Sequence, residues 1–383
     1  MIKKKIVYID IPPGRKRLKE EQEIDKWING WGSLLGRNIL KYTDEFEIET
    51  WHYDNEVNKI ESKIINNIKG VRFPITKFSK SSFPYSMYRI LLDKFQKKEP
   101  FLVHVSFIFN MFCYSLVYLL GNKIPFIVSS HGDMRADLKY KIYKKRKYLI
   151  ERNIVAPKAL KKVSYATCLR KDDKEYLQNY IKKENLIIQT VGVDFNKFKP
   201  LDKNRCRKEF NLPLDKKLLL YIGRLYKLKG IHLILPLIEK LRKRNIELVV
   251  VGADPNQELY DEFRKKNVII FGRMPHHQIP KILSSVDAYT TPGHNQKYRG
   301  LDVANLEALA CNIPVISPNI NHLPGHYNTY GYYLQKEDDL FHAIIKVVLK
   351  SDKNSNIREN IKPIISWESI VKRMISVYNS FLT

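Results

Sequence analysis

The chain has 383 residues, 44% of them hydrophobic, and a formal net charge of +27. A chain of this length is too long for one ordinary compact core, which favours two domains. The hydrophobic content excludes a disordered protein. Four scattered cysteines without a CxxC pair argue against a disulfide framework or a zinc site, and they fit a reducing compartment. The charge favours anionic partners such as nucleotides, phospholipid head groups or nucleic acid.

Short apolar runs alternate with longer helical patterns in the first half of the chain. The predicted strands are Ile6–Ile11, Phe46–His52, Leu102–Ser106, Phe126–Ser130, Ser164–Cys168 and Leu186–Gln189. The predicted helices are Ile24–Leu40, Ser86–Gln96 and Leu138–Arg152. The apolar run at the N-terminus is too short for a signal peptide.

The run Phe101–Leu120 is nearly all apolar and about long enough to span a bilayer. It contains His104, Ser106 and Asn110, and it divides into a strand-like part followed by a helix-like part. We therefore expect a buried strand and helix; a membrane span and a membrane-touching helix are the alternatives.

The same alternation restarts after Pro200. The predicted strands are Leu218–Ile222, Glu247–Val251, Val268–Phe271, Ala288–Thr291 and Pro314–Ser317. The predicted helices are Ile231–Arg242, Gln257–Lys265, His277–Val286, Val303–Ala310, Lys336–Leu349 and a last one near Glu368–Phe381. This pattern predicts two doubly wound α/β domains with parallel sheets, joined near Pro200–Asn211, with ligands bound at the carboxyl ends of the strands.

A glycine-containing turn separates the strand Leu218–Ile222 from the helix after it. Gly223 and Gly230 allow a tight turn and close backbone approach, and the helix directs its free N–H groups and its dipole at the turn. Arg224 offers a planar fork for phosphate oxygens and Lys229 a point charge. The turn therefore predicts a diphosphate site; a surface turn with two solvated cations is the alternative.

Two further segments follow this turn. Gly272 ends a predicted strand, and the backbone of Gly272, Arg273 and Met274 can hydrogen-bond a base edge; a plain turn is the alternative. Glu307 lies on a helix of mostly small and apolar residues, where a carboxylate needs a partner. That partner is either a ribose diol or a buried Arg or Lys. The entry to this helix, where amides can face a ligand, is formed by Arg299, Gly300, Leu301, Asp302 and Val303.

In this order the three segments resemble the donor half of glycosyltransferase family 4, the retaining enzymes of GT-B fold. The stretch Thr190–Pro200 is similar to the end of that family's N-terminal domain, and Ser366–Glu368 resembles its C-terminal signature. The stretch Val128–Gly132 resembles the loop whose histidine reaches the donor sugar, which implies this role for His131.

The resemblance implies an α/β protein of GT-B fold, with two Rossmann-like, doubly wound domains facing a central cleft. Residues 1–200 would form the acceptor-binding domain and residues 201–366 the nucleotide-sugar-binding domain. The C-terminal helix, residues 367–383, would pack back on the N-terminal domain.

One part of the pattern departs from the family. Two glutamates with seven residues between them usually flank a Gly-Phe-Gly turn; Glu307 matches the second, but Arg299 stands at the first and Asp302 replaces the second glycine. Since the first glutamate approaches the sugar in the family, the departure concerns the donor sugar and catalysis rather than the nucleotide.

The expected reaction moves a sugar from a UDP- or GDP-sugar to a glycan or lipid-linked acceptor of a bacterial cell envelope. Arg224 and Lys229 are predicted to stabilise the charge of the leaving diphosphate, and the resemblance implies that His131 positions the sugar and that the configuration is retained. No cofactor and no metal are expected, because two cations serve the diphosphate.

A strongly basic segment lies in the acceptor half. Between Lys139 and Lys171 there are twelve Lys or Arg residues, with tyrosines interleaved and Glu151 as the single acid. It predicts an acceptor-binding or membrane-binding surface and hence peripheral attachment to the inner face of the cell membrane; ordinary surface lysines are the alternative. The residues singled out are Lys144, Lys145, Arg146 and Lys147, together with Arg15, Lys16 and Arg17 after the first strand.

Three other functions are weighed. A catalytically silent GT-B subunit is the main rival, because Arg299 replaces an expected glutamate. A nucleic-acid-binding protein explains the charge but not the ordered motifs, and no nucleic-acid-binding signature appears, so no nucleic acid is expected as a partner. A GT-B epimerase lacks a visible acid–base set.

Overall fold

The computed structural model describes residues 3–10, 27, 30–54, 56–74, 85–106, 111–130, 151–293, 303–318, 323, 331–334, 340–350 and 356–382. The chain divides into two compact units, one formed by residues 1–189 with 371–383 and the other by residues 190–370. The division falls before Thr190 rather than after residue 200. The reason is that Val193, Phe195 and Phe198 pack in the core of the second unit.

The first unit contains an eight-stranded sheet. Its strands are β1 (Lys4–Ile9), β2 (Phe46–Asp54), β3 (Glu61–Ile65), β4 (Ile68–Pro74), β5 (Phe101–Ser106), β6 (Phe126–Ser130), β7 (Tyr165–Cys168) and β8 (Leu186–Ile188). Their order is β3-β4-β2-β1-β5-β6-β7-β8, and every neighbouring pair is parallel except β3 with β4. The predicted strands are therefore present, and β3 and β4 are additional.

The described helices of this unit are α1 (Trp31–Ile39), α2 (Tyr85–Gln96), α3 (Met111–Leu120), a π-helical turn (Glu151–Val155), α4 (Ala156–Leu160) and α5 (Lys171–Leu177). The apolar run Phe101–Leu120 forms β5 and α3, so the prediction of a buried strand and helix is confirmed. Among the described residues, no helix is both long and apolar enough to span a bilayer. Most of the predicted helix Leu138–Arg152 lies outside the described residues.

Side chains alternate between the two faces of the first sheet, as the pleat of a strand requires. Val7 and Ile9 of β1 belong to the main apolar core, whereas Tyr8 points to the other face. There the Tyr8 hydroxyl lies 3.0 Å from the hydroxyl of Tyr378, and Tyr378 lies 2.7 Å from His104 Nδ1. Tyr378 belongs to α13 (Trp367–Phe381), most of which is part of this unit. A buried polar network thus ties the C-terminal helix to the middle of the first sheet.

The second unit contains a six-stranded, wholly parallel sheet. Its strands are β9 (Lys217–Ile222), β10 (Ile246–Val251), β11 (Ile269–Phe271), β12 (Ala288–Thr290), β13 (Val315–Ser317) and β14 (Gly331–Tyr333). Their order is β11-β10-β9-β12-β13-β14. Leu218 and Leu220 face one apolar cluster, and Leu219 and Tyr221 face another. Both faces are therefore covered, as is usual for parallel sheets.

The described helices of the second unit are α6 (Lys203–Glu209), α7 (Ile238–Arg242), α8 (Tyr260–Lys265), α9 (Ile279–Ser284), α10 (Val303–Ala310), α11 (Leu340–Val348) and α12 (Ile357–Ile365). The expected junction near Pro200–Asn211 is occupied by α6, which begins after the cap Asp202. Its Arg207 donates to the buried carboxylate of Asp287, which ties α6 to the sheet of this unit.

Candidate functional site in the second unit

The ends of three neighbouring strands meet at one edge of the second sheet. The Gly223 amide, just after β9, donates to the carbonyl of Val251 at 2.9 Å. The Gly252 amide, just after β10, donates to the carbonyl of Gly272 at 3.0 Å. The two turns predicted to bind a nucleotide sugar therefore lie on either side of the end of β10, at the carboxyl edge where parallel α/β sheets bind ligands.

The turn after β9 is held close to the end of β12. Gly230 has φ 77°, and a Cβ built on it would lie 2.1 Å from the Cα of Gly293. Only glycine allows two backbones to approach this closely. The same turn is tied to its other neighbour, since the Leu225 amide donates to Gln257 Oε1 at 2.7 Å.

The two predicted cations lie on this turn. Arg224 is exposed, and its guanidinium carbon lies 5.4 Å from the centroid of the Tyr226 ring. Lys229 is half-buried, and its amide donates to the carbonyl of Tyr226 at 2.9 Å. Both lie on a turn whose backbone is fixed by hydrogen bonds, which is what a phosphate-binding loop requires.

The helix after this turn differs from the prediction. Instead of an α-helix from Ile231 to Arg242, the chain forms 3₁₀ turns at Ile231–Leu233 and Leu235–Leu237, and α7 begins at Ile238. Pro236 explains the delay, because its ring has no N–H and clashes with the carbonyl four residues earlier. The expectation of an α-helical dipole aimed at the turn from Gly230 is therefore wrong. The positive potential there comes from the side chains of the turn.

The turn after β11 presents its backbone to open space. The nearest heavy atom to a Cβ built on Gly272 is the Ala253 carbonyl oxygen at 3.8 Å. Arg273 is exposed, while Met274 is half-buried and packs against the apolar core. The turn is thus anchored by Met274 and open at Gly272, which leaves room for a flat group such as a base.

Glu307 is buried on α10 and is held by a histidine. Its exposed fraction is 7%, and its Oε1 lies 2.8 Å from His276 Nε2. Burial raises the pKa of the Glu307 carboxyl above its ordinary value, while the hydrogen bond from His276 and the charge of Lys197 lower it. The protein partner is thus neither the arginine nor the lysine considered from the sequence.

Several predicted residues cannot be placed against this site. Val303 begins α10 and is exposed. The remaining residues at the entry to α10 lie outside the described residues: Arg299, Gly300, Leu301 and Asp302. The same holds for His131 and for the basic residues Arg15, Lys16, Arg17, Lys144, Lys145, Arg146 and Lys147.

The sequence analysis missed His276. It lies just before the predicted helix His277–Val286, and α9 begins only at Ile279. The contact with Glu307 joins residues 31 positions apart, so no local pattern could reveal it.

A known protein family matches most of the second unit. Residues 202–363 match the family described as glycosyl transferases group 1. TuaC of Bacillus subtilis (strain 168), named a teichuronic acid biosynthesis glycosyltransferase, is 29% identical over 148 residues, which cover 38% of this chain and 36% of TuaC. The chain spans about half or less of the length of the first curated relatives that it matches.

Solved structures resemble the whole chain. Sucrose-phosphate synthase from Thermosynechococcus elongatus matches with a TM-score of 0.68 and 17% identity, covering 99% of each chain. HepE of Anabaena, solved in complex with UDP, matches with a TM-score of 0.67 and 14% identity, covering 98% of this chain and 100% of HepE. At these identities the likeness shows the fold alone. The chain has the GT-B fold with two Rossmann-like domains, and the predicted fold class is confirmed.

Proposed function

We propose, on the premise that residues 202–363 form a domain of the glycosyl transferases group 1 family, that this chain is a glycosyltransferase. It takes a sugar from a UDP- or GDP-sugar and transfers it to a glycan or lipid-linked acceptor in cell-envelope polysaccharide synthesis. The name of TuaC supports the envelope assignment, and the UDP complex of HepE supports the donor class.

One observation carries the proposal. The turn that carries Arg224 and Lys229 and the open turn at Gly272 lie at the same carboxyl edge of a parallel sheet. The contact between His276 and Glu307 joins the second turn to α10. Two cations suit a diphosphate, an open backbone turn suits a base, and a buried carboxylate suits the hydroxyls of a ribose. Together these are the three parts of a nucleoside diphosphate.

The residues then have separate tasks in the transfer. As the bond between the anomeric carbon and the diphosphate breaks, negative charge grows on the leaving group, and Arg224 and Lys229 stabilise it without a metal. We propose retention of configuration, with the leaving phosphate accepting the acceptor's proton. His131 would position the donor sugar in this scheme.

Replacement of the two cations tests the assignment. We expect Arg224→Ala and Lys229→Ala each to lower the transfer rate about 10²–10³-fold, the usual effect of removing one electrostatic stabiliser. Both residues lie at the surface of a turn, so the melting temperature should stay near that of the wild type. The matched control is Arg264→Ala on the exposed side of α8, which should leave transfer unchanged. Near-normal rates in both variants would contradict the assignment.

A catalytically silent subunit is the second candidate, and Arg299 in place of the family's glutamate is the observation that favours it. A panel of UDP- and GDP-sugars, assayed for transfer and for slow donor hydrolysis, separates the two. Binding of a nucleoside diphosphate without turnover of any donor would favour the silent subunit.

We also propose that the first unit attaches peripherally to an anionic membrane surface. Tyr118 and Leu119 at the end of α3 are exposed, and Lys162 Nζ lies 4.7 Å from the centroid of the Tyr118 ring. Lys158 on α4 and Lys161 just after α4 are exposed, and α4 packs against α3. Aromatic and apolar side chains rimmed by lysines suit the boundary between head groups and acyl chains.

A further inference from the structure

The carboxylate of Glu307 stands at the end of a short chain of side chains. His276 Nε2 lies 2.8 Å from Glu307 Oε1, and Lys197 Nζ lies 2.7 Å from His276 Nδ1. A lysine ammonium has donors only, so His276 Nδ1 must be the acceptor and the ring proton must sit on Nε2. His276 therefore donates to Glu307 and engages one of its two oxygens.

The segment that carries Lys197 is itself anchored to the helix of Glu307. The Phe198 ring lies against His276, with 5.4 Å between the ring centroids. Arg358 of α12 donates to the carbonyls of Phe195, Phe198 and Ala310. Ala310 ends α10, so one half-buried fork holds the segment and the helix together. The backbone that carries Lys197 is thus fixed to the helix of Glu307, while the side chains of Lys197 and His276 are exposed.

We infer that His276 is a positioning residue for the ribose contact of Glu307, and that Lys197 holds the ring of His276 in the tautomer that donates. This inference rests on the proposed function, in which Glu307 meets the ribose hydroxyls. With Oε1 held by His276, the carboxylate has a fixed plane. A ribose diol can then donate to it without first ordering the side chain, which lowers the entropic cost of binding.

The ionisation of Glu307 gives the inference a second signature. The pKa of this carboxyl is raised by burial and lowered by His276 and Lys197, so loss of His276 moves it further upward. Two other titratable groups lie nearby. One is the Cys311 thiol, whose pKa burial raises to about 12, and the other is Arg358, whose charge lowers the pKa of that thiol. Nucleotide affinity falls when Glu307 is protonated, and in a variant without His276 this fall comes at a higher pH.

Calorimetry with nucleotides tests the role of His276. UDP and GDP are titrated into the wild type, and the tighter binder is compared with its 2′,3′-dideoxy analogue between pH 5 and 8. In His276→Ala we expect about tenfold weaker binding of the ribonucleotide at pH 7.5, the effect of one lost hydrogen bond to a charged group. The dideoxy analogue should bind the variant and the wild type alike, and the acid fall of affinity should move to higher pH.

Three further variants sharpen the result. His276→Gln keeps an N–H donor and should restore most of the ribose preference. Lys197→Met removes only the ammonium and should weaken ribonucleotide binding in the same direction but less. His277→Ala, the exposed neighbouring histidine, is the matched control and should behave as the wild type.

The outcomes separate the inference from the proposed function. A wild type that binds neither UDP nor GDP contradicts the proposed function itself. A wild type that binds, with a His276→Ala variant that keeps its affinity and its pH profile, overturns the positioning role alone. Equal losses for the ribonucleotide and the dideoxy analogue also overturn it, because such losses indicate a general structural defect.

Discussion

In the proposed nucleotide site, Glu307 is a residue at which binding and stability oppose each other. Burial raises the pKa of the Glu307 carboxyl, so protonation of this carboxyl favours the folded chain. The contribution of this group to the free energy of unfolding is therefore greatest at low pH and is lost as pH rises through the raised pKa. At neutral pH a buried carboxylate destabilises the fold, which is common for residues kept for binding.

The first prediction concerns Glu307→Gln. The amide keeps the shape of the side chain and an oxygen for His276, but it carries no charge. We expect a melting temperature at pH 7.5 equal to or above that of the wild type, an advantage that disappears near pH 4, and nucleoside diphosphate affinity about tenfold weaker. Scanning calorimetry and titration calorimetry check the two parts. A variant that is less stable at pH 7.5 and binds nucleotide normally would contradict both.

The residue scale is also where sequence analysis reached its limit. Arg224, Lys229 and Gly272 could be placed because each lies on a turn that follows a predicted strand, and strand ends converge at one edge of a parallel sheet. His276 and Lys197 could not be placed, because their contacts join distant parts of the chain. Single-sequence patterns carry periodicity and turn chemistry, but they carry no information on long-range pairs.

At the scale of elements, the buried parallel strands were the most readable. Predicted and observed strands agree within two residues at Phe46–Asp54, Phe126–Ser130 and Ile246–Val251. Each of these strands is buried along nearly its whole length. The hairpin of β3 and β4 was missed, since β3 is an exposed edge strand. Its turn did carry a signal: Asn66 and Asn67 both have positive φ, as type I′ hairpins require.

Helices were less readable where proline interrupts them. No helix was predicted over Ile357–Ile365, which forms α12 with Pro363 in its last turn. The apolar periodicity of Ile231–Arg242, in contrast, indicated an α-helix that forms only after Pro236. There the apolar pattern was right about burial, and the backbone chemistry of proline decided the local geometry.

The second prediction belongs to the junction of β1 and α1. Burial raises the pKa of Asp10 to about 6, against hydrogen bonds from Ser106 and from the amides of Gly32 and Ser33 that lower it. Between about pH 4 and pH 6 the folded chain binds more protons than the unfolded chain. The free energy of unfolding should therefore fall across this window as pH rises, by up to about 3 kcal/mol in total.

Replacement of Asp10 by asparagine should remove this slope. Urea unfolding of Asp10→Asn at pH 4, 5, 6 and 7 should show a flatter profile than the wild type, and the variant should gain stability relative to the wild type above pH 6. Asp44→Asn, at an exposed loop position, is the control and should leave the slope unchanged. A variant profile that runs parallel to that of the wild type would show that Asp10 is not the group responsible.

At the scale of the whole molecule, the charge of +27 exceeds what a nucleotide site needs. The proposed diphosphate site uses two cations, and many others lie in the first unit. Those described near Tyr118 lie beside exposed apolar side chains rather than in an acidic environment. This arrangement favours a surface with both head groups and acyl chains over a nucleic acid, for which no recognition motif appears.

The last prediction concerns membrane attachment. We expect the protein to float with vesicles that contain phosphatidylglycerol and to stay behind with neutral vesicles, and the bound fraction should fall as salt rises through 0.5 M, because salt screens the attraction. The double variant Lys158→Glu/Lys161→Glu should bind much more weakly, since each lysine near an anionic surface contributes about 1 kcal/mol. The matched control, Lys240→Glu/Lys243→Glu on and after α7, makes the same change of charge in the second unit and should float as the wild type does.

Equal losses of vesicle binding in both double variants would mean that net charge alone attracts the vesicles. Salt-sensitive binding of random oligonucleotides that exceeds vesicle binding would favour a nucleic-acid partner instead.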